Sequence, residues 1–132
     1  MARRNVDIEV KKLFAIHAMK WCKKNLGINK RKKKTLKLSL RIRFVEEDDK
    51  YVNGAYYIDD NKIIIYPLNC ESIFEIVSTV IHEYTHYLQS TKKYFEYFKT
   101  HYYSTHPYEK QARRNELKHT NKCLRNIKKL IN

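Results

Sequence analysis

Residues 72–89 read SIFEIVSTVIHEYTHYLQ, and most of what the sequence predicts depends on them. Apolar residues recur every three or four positions, which predicts an amphipathic helix over about residues 71–90 with Asn69 or Ser72 as its N-cap. On a helical wheel His82 and His86 fall on the polar side, so we do not expect them in the core. The predicted apolar stripe consists of Ile73, Ile76, Val77, Val80, Ile81, Tyr84, Tyr87 and Leu88.

The same helix contains the pattern H-E-x-x-H, formed by His82, Glu83 and His86. Two imidazoles one helical turn apart can bind one zinc ion, and the intervening glutamate can act as a base. A structural zinc site is disfavoured, because such sites usually close with cysteine ligands and the three cysteines here are widely separated. The pattern therefore predicts a catalytic Zn²⁺ site. The alternative is a pair of surface histidines that happen to stand four residues apart.

A catalytic zinc ion needs a third protein ligand and an open position for water. The best source is a last helix, opened by proline, over about residues 107–130. When its apolar stripe is extended toward the N-terminus of the helix, charged residues occupy the inward positions. Buried charges are costly unless they are paired or coordinate a metal. We expect Glu109 as the third ligand, with Glu116, His101 and His106 as alternatives. The stripe comprises Leu117, Leu124, Ile127 and Ile131, and the charged residues in line with it are Glu109, Arg113 and Glu116.

The chemistry predicted for such a site is hydrolysis of a peptide bond. Zinc would activate a water molecule, and Glu83 would take its proton and later give it to the leaving amine. The tetrahedral oxyanion needs a hydrogen-bond donor besides the metal. Several nearby side chains are suitable donors, and the sequence does not choose among them: Tyr102, Tyr103, His106, Tyr108 and Arg113.

The rest of the chain predicts one more helix and a small sheet. Strict alternation of apolar and polar residues indicates a strand that is solvated on one face, and two further strands flank a turn at residues 59–61. We expect a three-stranded meander and an irregular connection over residues 91–106. The fold class is therefore α+β. In chain order the predicted elements are a helix over residues 6–26, a strand from Leu36 to Phe44, a strand from Tyr51 or Ala55 to Ile58 and a strand from Lys62 to Tyr66.

Size and charge limit the remaining possibilities. A chain of 132 residues is the size of one domain, here a basic helix and loop over residues 1–34 followed by the sheet and catalytic helices over residues 35–132. The net charge of +14 suggests an anionic partner such as nucleic acid, but it divides into +13 for residues 1–45, −7 for residues 46–90 and +8 for the remainder. The cluster Lys30–Lys34 is either a solvated loop or a phosphate contact.

Targeting signals are not apparent in the sequence. No apolar run follows the first arginines, which argues against a secretory signal, and no stretch approaches the length of a membrane span. Cys22, Cys70 and Cys123 are odd in number and widely spaced, so we expect free thiols and no disulfide framework. A cytoplasmic protein is predicted, in the host cytoplasm if the chain is viral, without a membrane partner. The oligomeric state is not predicted.

These residues resemble the small gluzincin-type zinc metallopeptidases, in particular the minigluzincins and the short phage and bacterial metallopeptidases. The resemblance covers roughly residues 35–130. It implies a minimal zincin fold, in which an edge strand can pair with an extended substrate above the active-site helix and a C-terminal helix supplies a glutamate. It also implies that His82, His86 and Glu109 hold zinc. The matching segments are the strand pair over residues 54–66, VIHEYTHYLQ over residues 80–89 and HPYEKQAR over residues 106–113.

Two positions depart from that family pattern. Related sequences often carry a second glutamate where Gln111 stands, and its absence favours Glu109 as the ligand. Larger gluzincins place an acid that orients a zinc-bound histidine where this chain has Arg113. The resemblance therefore leaves Glu116 as the candidate for that supporting role.

Neighbouring families and one different function class remain open from the sequence. The IrrE-type and SprT-type proteases share the H-E-x-x-H helix, and a SprT-like enzyme would use a third histidine, His101 or His106, and act on DNA-associated proteins. The different class is a basic nucleic-acid-binding protein with a vestigial or accessory metal site, which would bind through the basic N-terminal region. The main prediction is a zinc metalloendopeptidase that acts on peptides or proteins.

Overall fold

The computed structural model describes residues 2–32, 34–42 and 52–131. It is an α+β arrangement of four helices and a small sheet, in agreement with the predicted fold class. No helix in these ranges is both long and apolar enough to cross a membrane. The elements are α1 (Ala2–Asn25), β1 (Lys37–Leu40), β2 (Gly54–Tyr57), β3 (Lys62–Ile65), α2 (Ile73–Leu88), α3 (Thr91–Tyr97) and α4 (Pro107–Ile131), with single 3₁₀ turns at Pro67–Asn69 and Tyr103–Thr105.

The sheet differs from the predicted meander in its strand order. The order is β1-β3-β2, with β3 antiparallel to β2 and parallel to β1. A tight turn, in which Asn61 adopts a φ of 48°, pairs β2 with β3, so β1 adds to the free edge of β3. Ile63, Ile64 and Ile65 are all buried, which is typical of a central strand covered on both faces. Phe44 and the alternative strand start at Tyr51 lie outside the described residues.

The predicted amphipathic helix is confirmed as α2, and it forms the centre of the core. Ser72 is its N-cap, and its hydroxyl accepts a hydrogen bond from the Glu75 amide at 3.1 Å. The other cap candidate, Asn69, donates to the Val52 carbonyl instead. The apolar face of α2 packs against α1, α4 and the sheet. Its fully packed residues are Ile76, Val77, Val80, Ile81, Tyr84 and Tyr87.

The predicted apolar stripe of α4 is wrong at two of its four positions. Leu117 is 85% exposed and Ile131 is also exposed. The face of α4 that packs against α2 is lined by small and polar residues, because α2 presents polar groups to it. For example, Asn115 Nδ2 donates a hydrogen bond to Thr85 Oγ1 at 3.1 Å. Arg113, predicted to point inward, is exposed. The buried residues of α4 are Glu109, Ala112, Thr120, Cys123 and Ile127.

The connection over residues 91–106 contains a helix that the sequence analysis did not predict. Ser90 caps α3 by accepting a hydrogen bond from the Lys93 amide. None of the α3 residues is buried, so the helix has no apolar stripe of the kind that periodicity detects. Its tyrosines instead pack around one imidazole: the ring centroids of Tyr94 and Tyr97 lie 4.5 and 5.5 Å from that of His106. This contact fixes α3 against the start of α4.

Candidate metal centre

The two histidines of α2 and one carboxylate of α4 converge. His82 Nε2 lies 3.3 Å from Glu109 Oε1, and His86 Nε2 lies 3.2 Å from the same oxygen. The two imidazoles stand one helical turn apart on α2, so their rings lie side by side, with centroids 5.0 Å apart. Glu109 is 1% exposed at the first turn of α4. The three side chains predicted as ligands are thus brought together by the packing of α4 on α2.

These distances match the requirement of a tetrahedral metal ion. A metal with bonds of about 2.0–2.1 Å to nitrogen and oxygen holds its ligand atoms about 3.3 Å apart. The observed separations between Glu109 Oε1 and the two Nε2 atoms agree with that value. His82, Glu83 and His86 also each offer one ligand atom, and these atoms lie within 4.8 Å of one another. The group can therefore hold a metal ion.

Two acceptors on the far side of the imidazole rings orient them. Glu116 accepts a hydrogen bond from His82 Nδ1, and Gln89 Oε1 accepts one from His86 Nδ1 at 2.7 Å. Both bonds place a proton on Nδ1, so Nε2, which faces Glu109, is the nitrogen left to bind a metal once it has lost its proton. Glu116 therefore lies where the supporting residue implied by the resemblance would stand. Gln89 was missed by the sequence analysis, although its position three residues after His86 on the same helix was an available signal.

Tyr94 also contacts the centre and was missed. Its hydroxyl donates to Glu109 Oε2 at 2.7 Å, and its ring meets that of His86 edge-on at 5.4 Å. Oε2 also lies 3.1 Å from His86 Nε2, and Oε1 lies within 3.3 Å of both histidines. Burial raises the pKa of the Tyr94 phenol, and the hydrogen bond to Glu109 raises it further. The hydroxyl therefore stays protonated as a donor. No sequence pattern connects α3 with this site, because the contact depends on the packing around His106.

The centre is strongly acidic for its size. Three carboxylates, those of Glu83, Glu109 and Glu116, surround two imidazoles. Without a metal, burial favours neutral His82, but hydrogen bonds to Glu109 and Glu116 outweigh burial and raise the His82 pKa to about 10. Burial likewise opposes ionisation of Glu109, and its bonds to the two histidines overcome this and lower its pKa. A divalent cation would replace the proton that balances these charges.

Glu83 lies beside the histidines and differs from Glu109 in its surroundings. Burial raises the Glu83 pKa, and the neighbouring histidines only partly offset that effect. A carboxylate with a raised pKa is a better proton acceptor near neutral pH than an ordinary one. Glu109, with a lowered pKa and bonds to both Nε2 atoms, is better suited to be a ligand. The two glutamates therefore have environments that match the two different roles.

A cleft of about 250 Å³ opens onto this group. One wall is β2, which stands at the edge of the sheet because the strand order is β1-β3-β2. The opposite side is formed by Tyr94 and Tyr103 together with the histidines and the two glutamates. An extended segment of a second molecule could lie along β2 and pass over the cluster. The β2-side lining consists of Val52, Gly54, Ala55, Tyr56 and Ile58.

Tyr103 is the predicted oxyanion donor that lines this cleft. Burial and the nearby Glu109 raise its pKa to about 12, which keeps its hydroxyl protonated. The other candidates lie elsewhere. Tyr102 is 84% exposed, and Arg113 donates to the Ser104 carbonyl. Tyr108 contacts Tyr97, and its carbonyl accepts from Gln89 Nε2 at 2.9 Å.

The two histidines considered as alternative ligands are not part of the cluster. His106 is fully buried, and both ring nitrogens are occupied: Nε2 bonds to the Tyr94 carbonyl at 2.8 Å, and Nδ1 accepts from the Tyr108 amide at 3.1 Å. His101 Nδ1 bonds to the Thr100 hydroxyl on the outer surface. His106 thus positions α3 and α4, and neither residue faces His82 and His86.

Comparison with protein-family models, with curated proteins and with solved structures gives no match to this chain.

Proposed function

We propose that the chain is a zinc-dependent metallopeptidase that hydrolyses peptide bonds in an extended peptide or protein substrate. The observation that carries the proposal is the position of Glu109 Oε1, 3.3 Å from His82 Nε2 and 3.2 Å from His86 Nε2. Two imidazole nitrogens and one carboxylate oxygen form a ligand set typical of catalytic zinc. The resemblance of the residues around His82 and Glu109 to the gluzincins supports the same conclusion.

Each residue has a defined part in this reaction. Zinc, when bound, supplies the Lewis acidity that lowers the pKa of water and polarises the peptide carbonyl. Glu83 takes a proton from the attacking water and gives it to the leaving amine. Tyr103 donates a hydrogen bond to the oxyanion. The edge strand β2 pairs with the substrate backbone and fixes its direction across the cleft.

Three variants test these assignments. The protein is stripped of metal, titrated with Zn²⁺ and assayed with an unstructured protein such as casein. We expect the parent to bind one zinc ion per chain, Glu109→Gln to bind zinc at least tenfold more weakly, and Glu83→Gln to keep its zinc but lose nearly all activity. Glu96→Gln, an exposed change on α3, is the matched control. A parent that binds no zinc, or a Glu83→Gln variant as active as the parent, would contradict the proposal.

The cysteines bear on where this enzyme would work. Cys22, Cys70 and Cys123 are all buried free thiols, as the sequence predicted. Free thiols are typical of reducing compartments, which supports a cytoplasmic location. We propose this location together with the function.

A further inference from the structure

The solvent face of α4 carries positive charges that the proposed peptidase site does not use. The helix contains two acidic residues, Glu109 and Glu116, and both turn inward to the histidines. All of its lysine and arginine side chains are exposed and neither acidic residue is, so the outward side of α4 is positively charged. This basic face of α4 consists of Lys110, Arg113, Arg114, Lys118, Lys122, Arg125, Lys128 and Lys129.

Six of these residues form a continuous row. They follow one another at intervals of three or four residues, which confines them to a sector of about 120° on the helix. From Lys110 to Lys129 the row is about 28 Å long at 1.5 Å per residue. Within the part of the chain that the structure describes, no carboxylate lies at ion-pair distance from any of the six. The row is Lys110, Arg114, Lys118, Lys122, Arg125 and Lys129.

A groove between α1 and α4 extends this charge onto α1. The groove has a volume of about 500 Å³, and Lys20 and Lys24 of α1 face Lys129 of α4 across it. Among the described residues no carboxylate lines it, and Trp21 and Ile127 form its apolar floor. Lys129 belongs both to the row and to the groove. The positive surface is therefore continuous over two packed helices.

We propose that the basic face of α4, together with Lys20 and Lys24, binds the phosphate backbone of duplex nucleic acid without reading its sequence. The row is nearly as long as one helical turn of a duplex, about 34 Å, and its cations are regularly spaced for contacts with successive phosphates. Exposed aromatic side chains, on which single-stranded bases stack, do not occur along the described length of α4. These features favour a duplex over a single strand.

An acidic protein fits this surface less well. Protein interfaces bury an apolar centre, and the exposed apolar residues of α4 are the isolated Leu117 and the terminal pair Leu130 and Ile131. The loop after α1, which the sequence suggested as a phosphate contact, is also less suitable. Lys32 Nζ donates to the Tyr56 hydroxyl at 2.9 Å, and Lys34 Nζ donates to the Asp59 carbonyl at 3.0 Å. Two of its cations are thus already engaged within the molecule.

The row and the metal centre use opposite sides of α4. The buried side carries Glu109 and Glu116, and the row faces the other way. The inference does not depend on the proposed peptidase activity, because it concerns a different surface. A chain that binds duplex and fails to hydrolyse peptides would support it and contradict the proposed function.

The test measures binding of the full chain to a fluorescent duplex DNA of random sequence and about 20 base pairs. Fluorescence anisotropy is recorded between about 50 and 200 mM salt. We expect micromolar affinity that falls steeply with salt. The triple variant Lys118→Gln/Lys122→Gln/Arg125→Gln should bind at least about tenfold more weakly, and the slope of log K against log salt should become shallower by about three.

The matched control removes the same charge elsewhere. Lys30→Gln/Arg31→Gln/Lys34→Gln lowers the net charge by the same amount in the loop after α1, and we expect its slope to equal that of the parent. All substituted residues in both variants are exposed, and a thermal melt confirms that they fold. A second triple variant, Lys110→Gln/Arg114→Gln/Lys129→Gln, should reproduce the loss with the rest of the row.

Three results would overturn the inference. The first is a parent chain that does not bind duplex DNA at 50 mM salt, as expected if the face takes an acidic protein or no partner. The second is a loop variant that loses affinity while the α4 variants keep it. The third is tighter binding to oligo(dT) than to the duplex, which would assign the surface to single strands.

Discussion

Glu116 accepts a hydrogen bond from His82 Nδ1, on the side of the imidazole opposite Glu109. The same helix, α4, thus supplies one carboxylate to each nitrogen of one ring. Glu109 is fully buried at the proposed ligand position, whereas Glu116 is half-buried about two helical turns further along. His82 is therefore fixed in one orientation by residues from a single neighbouring element. His86 depends instead on Gln89 of its own helix end.

Removing the Glu116 carboxylate should weaken metal binding without abolishing it. We expect Glu116→Gln to lower zinc affinity by about 10- to 100-fold, because the neutral amide no longer holds His82 Nδ1–H as strongly. Competition with a chromogenic chelator measures the affinity. Glu96→Gln, which removes an exposed carboxylate, should leave it within twofold of the parent. Equal affinities for all three proteins would show that Glu116 has no supporting role.

The Tyr94 hydroxyl should contribute to metal binding through Glu109. In Tyr94→Phe the 2.7 Å hydrogen bond to Glu109 Oε2 is lost while the ring remains against His86. Glu109 can then rotate, and we expect zinc affinity to fall by up to about tenfold. The comparison is Tyr97→Phe, which changes the neighbouring tyrosine of the same aromatic cluster. If both variants bind zinc as the parent does, Tyr94 serves only to pack α3.

The stability of the metal-free protein should fall as the pH rises above 6.5. The His82 pKa is raised from 6.5 to about 10, so its ion pair with the carboxylates stabilises fully below pH 6.5 and loses its effect as the pH approaches 10. Up to about pH 8, the lowered pKa at which half of Lys32 has lost its proton, this group should cost at most about 1.4 kcal/mol of unfolding free energy per pH unit. Urea denaturation in a chelator measures it.

Zinc should cancel this dependence. Metal binding requires neutral His82, so protons compete with zinc and the stabilisation that zinc adds should increase from pH 6.5 to 8. Glu116→Gln serves as the control, because His82 then lacks one of the partners that raise its pKa and the metal-free slope should become shallower. A metal-free parent that becomes more stable with rising pH in this range would refute the assignment of charges in the centre.

Gly54 should be the more sensitive of the two glycines. A Cβ at Gly54 would lie 2.8 Å from both the Ile64 carbonyl oxygen and Thr79 Cγ2, because β2 passes closely over α2 there. We expect Gly54→Ala to destabilise by about 1–3 kcal/mol through overpacking, and to displace the cleft wall. Urea denaturation and peptidase assays measure the two effects.

Gly27 provides the comparison for this prediction. It follows the end of α1 with a φ of +86° and has nothing within 4 Å of an added Cβ. Gly27→Ala should therefore cost about 1 kcal/mol from backbone strain alone, and leave the cleft unchanged. An equal loss of the proposed activity in both variants would mean that stability, not the position of β2, limits that activity.

The parts of the fold that sequence analysis predicted are those with local signals. The helix α2 has a regular apolar period and a capping serine, and the structure contains both. Neighbouring elements bury the same face that the apolar period identifies. In contrast, the strand order depends on which edge of β3 remains free after the β2–β3 turn forms. The unbroken run of Ile63, Ile64 and Ile65 indicated a central strand, and that signal was available but not used.

The site residues also divide into those with a local sequence signal and those without one. His82, Glu83 and His86 share one helix, so their spacing identifies them directly. Glu109 could be predicted because a charged residue at an inward position of a helix is unusual. Tyr94 could not be predicted from the sequence. Its contact with Glu109 depends on the packing of α3 against His106, and these segments share no periodic pattern. The orientation of α4 was also misjudged, since polar residues and not leucines face α2 in its first half.

The histidines and their proposed third ligand are separated along the chain: Glu109 comes 23 residues after His86 and sits on a helix that docks through Cys123 and Ile127. A growing polypeptide on the ribosome therefore presents both histidines well before it can present the glutamate in place. The metal centre therefore forms only after α4 has been synthesised and has docked on α2. Under the proposed function, a chain that has not yet reached α4 lacks the third ligand and has no hydrolytic capacity until that helix is in place.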